Sequence, residues 1–454
     1  MACVTSLSAR SSRWTLLFFA CALVNFIAAQ GLDVAGLTWP AQSLLSSGTL
    51  IAVHLVTIGW LSLLMFGALF QFVPVITSQA LPSQKLALAT LLVIEAGLLA
   101  MLLGFTGWLG GHALQSPALP VGGSLVLAGV LVGAVTLWLP LWRSQESTLP
   151  GRLVQIGLLF LVITVLLGLG LALVFTLPDA TAILAPLAAN GRSVHMLAGL
   201  GGWFTLTAIG VSYKLLPMFM LAPEERGRLG DSVMWLGSTG CALLVGAGVV
   251  GLWLPGWLSR NIEILGGLLA ATGFIVYLID VLRLYRGRRR VQLELHNQMA
   301  ICAFSALPIA LLWLALALLA GRIDTQAPAL IYLILAGWLS GLGLTQLYKI
   351  TAFLTWLQRY GTRLGRGPVP RVQALVDEPR GRPWFIVYFT GVAITTVALA
   401  SGWSVVARGG SALSLLATLA LAREYLRIQR CYYVSHPSPA AASALQPPFP
   451  GRTS

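Results

Sequence analysis

Apolar runs of about 20 residues follow one another along the whole chain, separated by short segments rich in glycine, proline and charge. A helix needs about 20 apolar residues to cross the hydrocarbon core of a bilayer. Lipid offers no partner to an open backbone N–H or C=O, so such runs must close their hydrogen bonds within a helix. The pattern predicts an all-α polytopic membrane protein with twelve transmembrane helices. The spans run over residues 14–29, 50–75, 86–105 and 121–139, then 153–175, 194–217, 233–254 and 262–284, and finally 299–320, 329–353, 385–401 and 405–422. The twelfth is the least regular, because Arg408, Gly409 and Gly410 interrupt it.

Composition agrees, with 57% hydrophobic and 9% charged residues, where a soluble domain has about 25% charged. A net charge of +14 raises the question of nucleic acid, but its distribution points elsewhere. With the N-terminus inside, of 28 Lys and Arg only Arg192, Arg260, Arg322 and Arg408 fall in outer segments. Lys214 and Lys349 lie within spans, which leaves 22 on the cytoplasmic side. This is the positive-inside pattern, and it predicts an N-in/C-in topology, with the lipid bilayer rather than nucleic acid as the partner. Five arginines crowd residues 283–290 and six lie between 359 and 382. The loop 359–383 is too polar for lipid and is expected to pack over the cytoplasmic face. The tail 435–454, rich in Pro, Ala and Ser, is expected to be disordered. Arg10 and Arg13 before an apolar run resemble a signal peptide, but the repeat described next uses this segment as its first helix, which favours an uncleaved span. Cys3, Cys21, Cys241, Cys302 and Cys431 are scattered, without CxxC spacing, and read as packing residues.

Three segments share a pattern. Gly59-Trp60 is followed by Gly67 and Pro74, and Gly202-Trp203 by Gly210 and Pro217 at the same offsets. Gly337-Trp338 keeps Tyr348-Lys349 at the offsets of Tyr213-Lys214, with Thr345 and Ala352 in place of the later Gly and Pro. The copies fall in spans two, six and ten, each the second helix of a quartet. The chain therefore reads as one membrane domain over residues 1–434, built from three pseudo-repeated four-helix units of about 14–143, 153–286 and 298–425. Glycine at these offsets permits close helix approach in lipid. Proline near the cytoplasmic end bends or finishes the helix.

Of five histidines, His112, His296 and His436 lie in an outer loop, at a span start and in the tail. His54 and His195 precede Pro74 and Pro217 by about 20 residues, roughly 30 Å along a helix, so both fall in one layer near the outer face. Imidazoles so placed ligate haem iron or copper, or else pack and hydrogen-bond at the interface. Glu95, at mid-span, is a functional candidate by its depth, or a satisfied structural partner. Lys214 and Lys349 lie near cytoplasmic span ends, where the first expectation is that they reach out to water. Their shared Tyr-Lys context also suits an anion such as a haem propionate or a lipid headgroup. Asp280 reads as half of a local ion pair, and Trp and Tyr near span ends as interface anchors.

Twelve helices in three quartets, with His54 and His195 in spans two and six near the outer face, resemble subunit I of the haem-copper oxidases. The segments 54–74 and 195–217 look most similar to divergent oxidase-like proteins and the NnrS group, which are associated with haem, copper and the nitric oxide response. The resemblance implies a bacterial inner-membrane protein, with His54 as a haem ligand and His195 as a copper ligand. In that family spans seven and ten carry further histidines; here they carry none, and Tyr332 stands in span ten where His54 stands in span two. Tyrosine can ligate haem iron. A complete oxygen-reducing centre cannot be assembled, so a terminal oxidase is not expected. The resemblance implies a protein of respiration-linked metal handling or the nitric oxide response, with respiratory-complex subunits as candidate partners. The alternatives are a secondary transporter and a non-catalytic assembly or scaffold subunit.

Overall fold

The computed structural model describes residues 2–107, 116–177, 184–223, 227–251, 254–439 and 442. Among these residues it is all-helical, and twelve helices are long and apolar enough to cross a membrane. They are α1 (Arg13–Ala35), α2 (Ser47–Thr77), α3 (Gln84–Thr106), α4 (Ala118–Arg143), α5 (Leu149–Thr176) and α6 (Gly191–Met220). The rest are α7 (Arg228–Val250), α8 (Gly256–Arg286), α9 (Leu295–Leu319), α10 (Ile323–Arg363), α11 (Glu378–Ser401) and α12 (Ser404–Gln429). Every predicted span has its helix. The chain is an integral membrane protein by this measure.

The helices form two compact units, one holding α2–α8 (Gln42–Val291) and the other α1 with α9–α12 (Met1–Ala41 and Gln292–Ser454). In the first, α3 packs closely along α4 and α7 along α8, and α5 lies against α6. In the second, α11 packs along α12, α9 against α10, and α1 against α12 and α10.

Glycine makes the tight pairs possible. A methyl on Gly97 would lie 2.8 Å from the Gly122 carbonyl oxygen, and one on Gly240 would lie 2.7 Å from that of Gly266. On Gly391 it would lie 2.6 Å from the oxygen of Gly410. Backbones meet backbones at each crossing, which a side chain would forbid. This explains the irregular twelfth span. Gly410 does not interrupt α12 but seats it on α11, while Arg408 turns its Nε to the Val34 carbonyl at 2.9 Å.

The three Gly-Trp helices share a feature that their hydropathy conceals. Each contains a π-helical stretch, over Leu55–Ser62, Ala198–Leu206 and Leu333–Ser340, beginning four residues before the Gly-Trp pair. A π turn carries one more residue than an α turn. A hydroxyl two residues beyond the Trp bonds back across it: Ser62 donates to the Thr57 carbonyl at 2.8 Å and Thr205 to that of Leu200 at 2.6 Å. Ser340 holds the same place in α10. Trp60, Trp203 and Trp338 are at most 1% exposed, so they are core residues and not interface anchors. Trp142, Trp235, Trp257 and Trp403 are well exposed, as an anchor role requires.

The repeat prolines end their helices alike. Pro74 lies four residues before Ser78, and Pro217 four before Leu221, and both of those terminal residues are left-handed (φ 53° and 52°). Beyond α10, Trp356 donates its indole N–H to the Pro370 carbonyl at 2.6 Å, and Ala374 and Leu375 are fully buried. The polar loop thus folds back onto its own unit, as its composition predicts. Cys21, Cys241, Cys302 and Cys431 are free thiols. His112 and most of the tail lie outside the described residues.

Candidate functional site

His54 is the last residue before the π stretch of α2, and His195 lies three residues before that of α6. Both are half-buried. The His54 Nδ1 faces the Leu50 carbonyl at 2.7 Å, and His195 Nδ1 faces the Thr164 carbonyl of α5 at 2.8 Å. A carbonyl oxygen only accepts, so in each ring Nδ1 carries the proton and Nε2 keeps its lone pair. This is the tautomer in which a metal-ligating histidine is held, with one nitrogen anchored to the backbone and the other free to coordinate.

The berths differ. The His54 ring lies against Phe105, with centroids 5.0 Å apart. His195 lies on a patch of α5 cleared by small residues. A methyl on Gly168 would come within 2.9 Å of the imidazole Cε1, and the Thr164 hydroxyl turns away to the Phe160 carbonyl at 2.7 Å. Among the described residues no group of three or more His, Cys, Asp or Glu is assembled as a metal cage. Each histidine therefore offers one nitrogen donor, Nε2.

Tyr332 belongs to the other unit, where it lines a cavity of about 30 Å³ with Asp33, Thr38, Trp39, Arg408 and Ser411. Asp33 Oδ1 accepts from the Thr38 hydroxyl at 2.7 Å. Such a volume admits one or two water molecules. Asp33 escapes the sequence reading because hydropathy ends the first span at residue 29, whereas the helix runs on to Ala35 and carries the carboxylate with it.

Glu95 and Lys214 are half-buried and engaged with neighbours. Lys349 does not reach out to water. Its Nζ lies 2.5 Å from Glu294 Oε2, and both side chains are only 12% exposed. Gln373 and the buried His296 approach the same carboxylate, at 3.2 and 3.6 Å. The neighbouring tyrosines of the Tyr-Lys pairs also have partners, Tyr213 donating to Asp280 at 2.9 Å and Tyr348 to the Asp377 carbonyl at 3.0 Å. Asp280 meets Arg283 at 3.8 Å, the local pair its position predicts. These contacts are structural in kind, each one matching a buried charge or phenol to a partner.

The fold is that of an all-helical integral membrane protein, in which His54 and His195 each hold a backbone carbonyl through Nδ1. No protein-family model matches the chain, and no curated protein matches it.

Proposed function

We propose that the protein is a haem-copper-oxidase-like membrane protein that binds copper or haem through His54 and His195. It has an N-in/C-in topology in a bacterial inner membrane and three parallel four-helix repeats. One observation carries the reading: both imidazoles spend Nδ1 on a backbone carbonyl, which leaves two Nε2 lone pairs for a metal. Each residue fits a single imidazole bond, to copper or as an axial ligand to haem iron. A metal held here would supply one-electron redox chemistry or a place for a diatomic ligand. The protein's part is to fix both rings in the neutral tautomer and hold them on small or apolar neighbours. The role is metal handling or the nitric oxide response rather than oxygen reduction, because α7 and α10 contain no histidine.

The recurrence of π stretches and glycine crossings supports the repeats, and the arginine asymmetry supports the topology. Metal and haem content of purified His54→Ala and His195→Ala tests the site. Loss in either variant is expected; unchanged content in both would end the assignment.

Transport is the second reading, supported by the Asp33, Tyr332 and Arg408 cavity, since carboxylates set among membrane helices serve transporters. Substrate uptake into proteoliposomes that is lost in Asp33→Asn would put it first.

A further inference from the structure

The exposed face of α8 continues past the apolar part of the helix. Leu268, Ile275, Ile279 and Leu282 are each between 42% and 62% exposed and lie at helical spacing, so they form its lipid-facing stripe. Four residues beyond Leu282 the same stripe presents Arg286, which is exposed. Arg288 and Arg289 follow, also exposed, in a segment, 281–293, that contains no Asp or Glu.

This arginine segment is fixed in place. The backbone N–H groups of Arg289 and Arg290 donate to the Leu221 and Met220 carbonyls, both at 3.3 Å. The Arg288 guanidinium donates to the Tyr285 carbonyl. The chain after α8 is thus pinned to the end of α6, where Leu221 is left-handed. Topology alone demands positive charge at such a place, but not a fixed backbone. Exposed apolar residues lie in the same two chain ends, with Met218 49%, Leu221 55% and Val291 88% exposed. A soluble anion would leave these three in water.

We propose that the ends of α6 and α8 form a binding site for an anionic phospholipid. Arg286, Arg288 and Arg289 take the phosphate, which suits the guanidinium fork. Met218, Leu221 and Val291 cover the upper acyl chain. The lipid is a fixed ligand of this corner rather than one of many exchanging neighbours. The site is independent of the metal reading.

Native mass spectrometry tests it on the full chain, released from nanodiscs holding equal amounts of phosphatidylglycerol and phosphatidylcholine. Wild type is expected to retain phosphatidylglycerol in preference. The triple variant Arg286→Gln/Arg288→Gln/Arg289→Gln should weaken that retention on the order of 100-fold, at roughly one contact's worth per arginine. The variant Arg363→Gln/Arg366→Gln/Arg371→Gln, with equal loss of charge elsewhere, should retain it as wild type does. Equal retention of the two lipids by wild type overturns the proposal whatever the variants do. So does equal loss in both triple variants, which would mean that only overall charge counts.

Discussion

The Trp203 indole N–H donates to the Ser62 hydroxyl across 3.1 Å, and both residues sit inside π-helical stretches of different helices. Ser62 donates its own hydroxyl hydrogen bond to the Thr57 carbonyl five residues back. One hydroxyl therefore bonds back across the widened turn of α2 and ties α6 to it. A double-mutant cycle of Trp203→Phe and Ser62→Ala in unfolding assays should give a coupling of about 0.6 kcal/mol, and no more than about 1.7 kcal/mol, as for other interhelical hydrogen bonds in membranes. Strict additivity would mean that the bond adds nothing.

The glycine crossings lead to a comparison within one helix. On α7, Gly240 faces the backbone of α8, while a methyl on Gly246 would meet nothing within 4 Å. Gly240→Ala should destabilise by about 1–3 kcal/mol through forced separation of the helices. Gly246→Ala should be neutral or stabilising by up to about 1 kcal/mol. Equal effects at the two positions would remove the crossing as the cause.

Buried charge gives a third expectation. Glu294→Gln removes the nearest carboxylate from Lys349 in a site only 12% exposed, leaving Glu378 as its more distant partner, and should cost up to about 3 kcal/mol. Adding Lys349→Met should recover most of that loss. Thermal unfolding in detergent reads both variants; if the double variant is as weak as the single one, the ion pair is not what Glu294 contributes.

At the chain's other end, burial and the adjacent Glu424 carboxylate push the Tyr433 phenol above its ordinary value of 10.0. Above about pH 10 the unfolded chain releases a proton that the folded chain keeps, so stability falls as pH rises. The stability advantage of wild type over Tyr433→Phe should therefore be full below about pH 10 and shrink above it. An advantage that stays constant across this range would contradict the assignment.

Much of this could be read from the sequence, and the physics explains the division. Twelve apolar runs predicted twelve helices because lipid enforces one backbone solution. The Gly-Trp pairs were visible, but the π stretches were not, since hydropathy carries no record of an i→i+5 turn. A signal was nevertheless there: the serine or threonine two residues after each Trp, at Ser62, Thr205 and Ser340. His54 and His195 could be named from their depth. Their tautomer could not, because the Thr164 carbonyl that fixes His195 lies 31 residues away. The pairing of Lys349 is hidden from the sequence for a similar reason. Its partner Glu294 is 55 residues distant, and a lysine near a span end looks the same in sequence whether it faces water or a carboxylate.

The most direct test of the central claim is an absorption spectrum of the detergent-purified protein, oxidised and reduced, with copper and iron analysis of the same sample. The expected result is a Soret band or stoichiometric copper that disappears in His54→Ala or His195→Ala. A colourless, metal-free protein from cells replete in haem and copper would contradict the claim, and the two imidazoles would then be interhelical hydrogen-bonding groups.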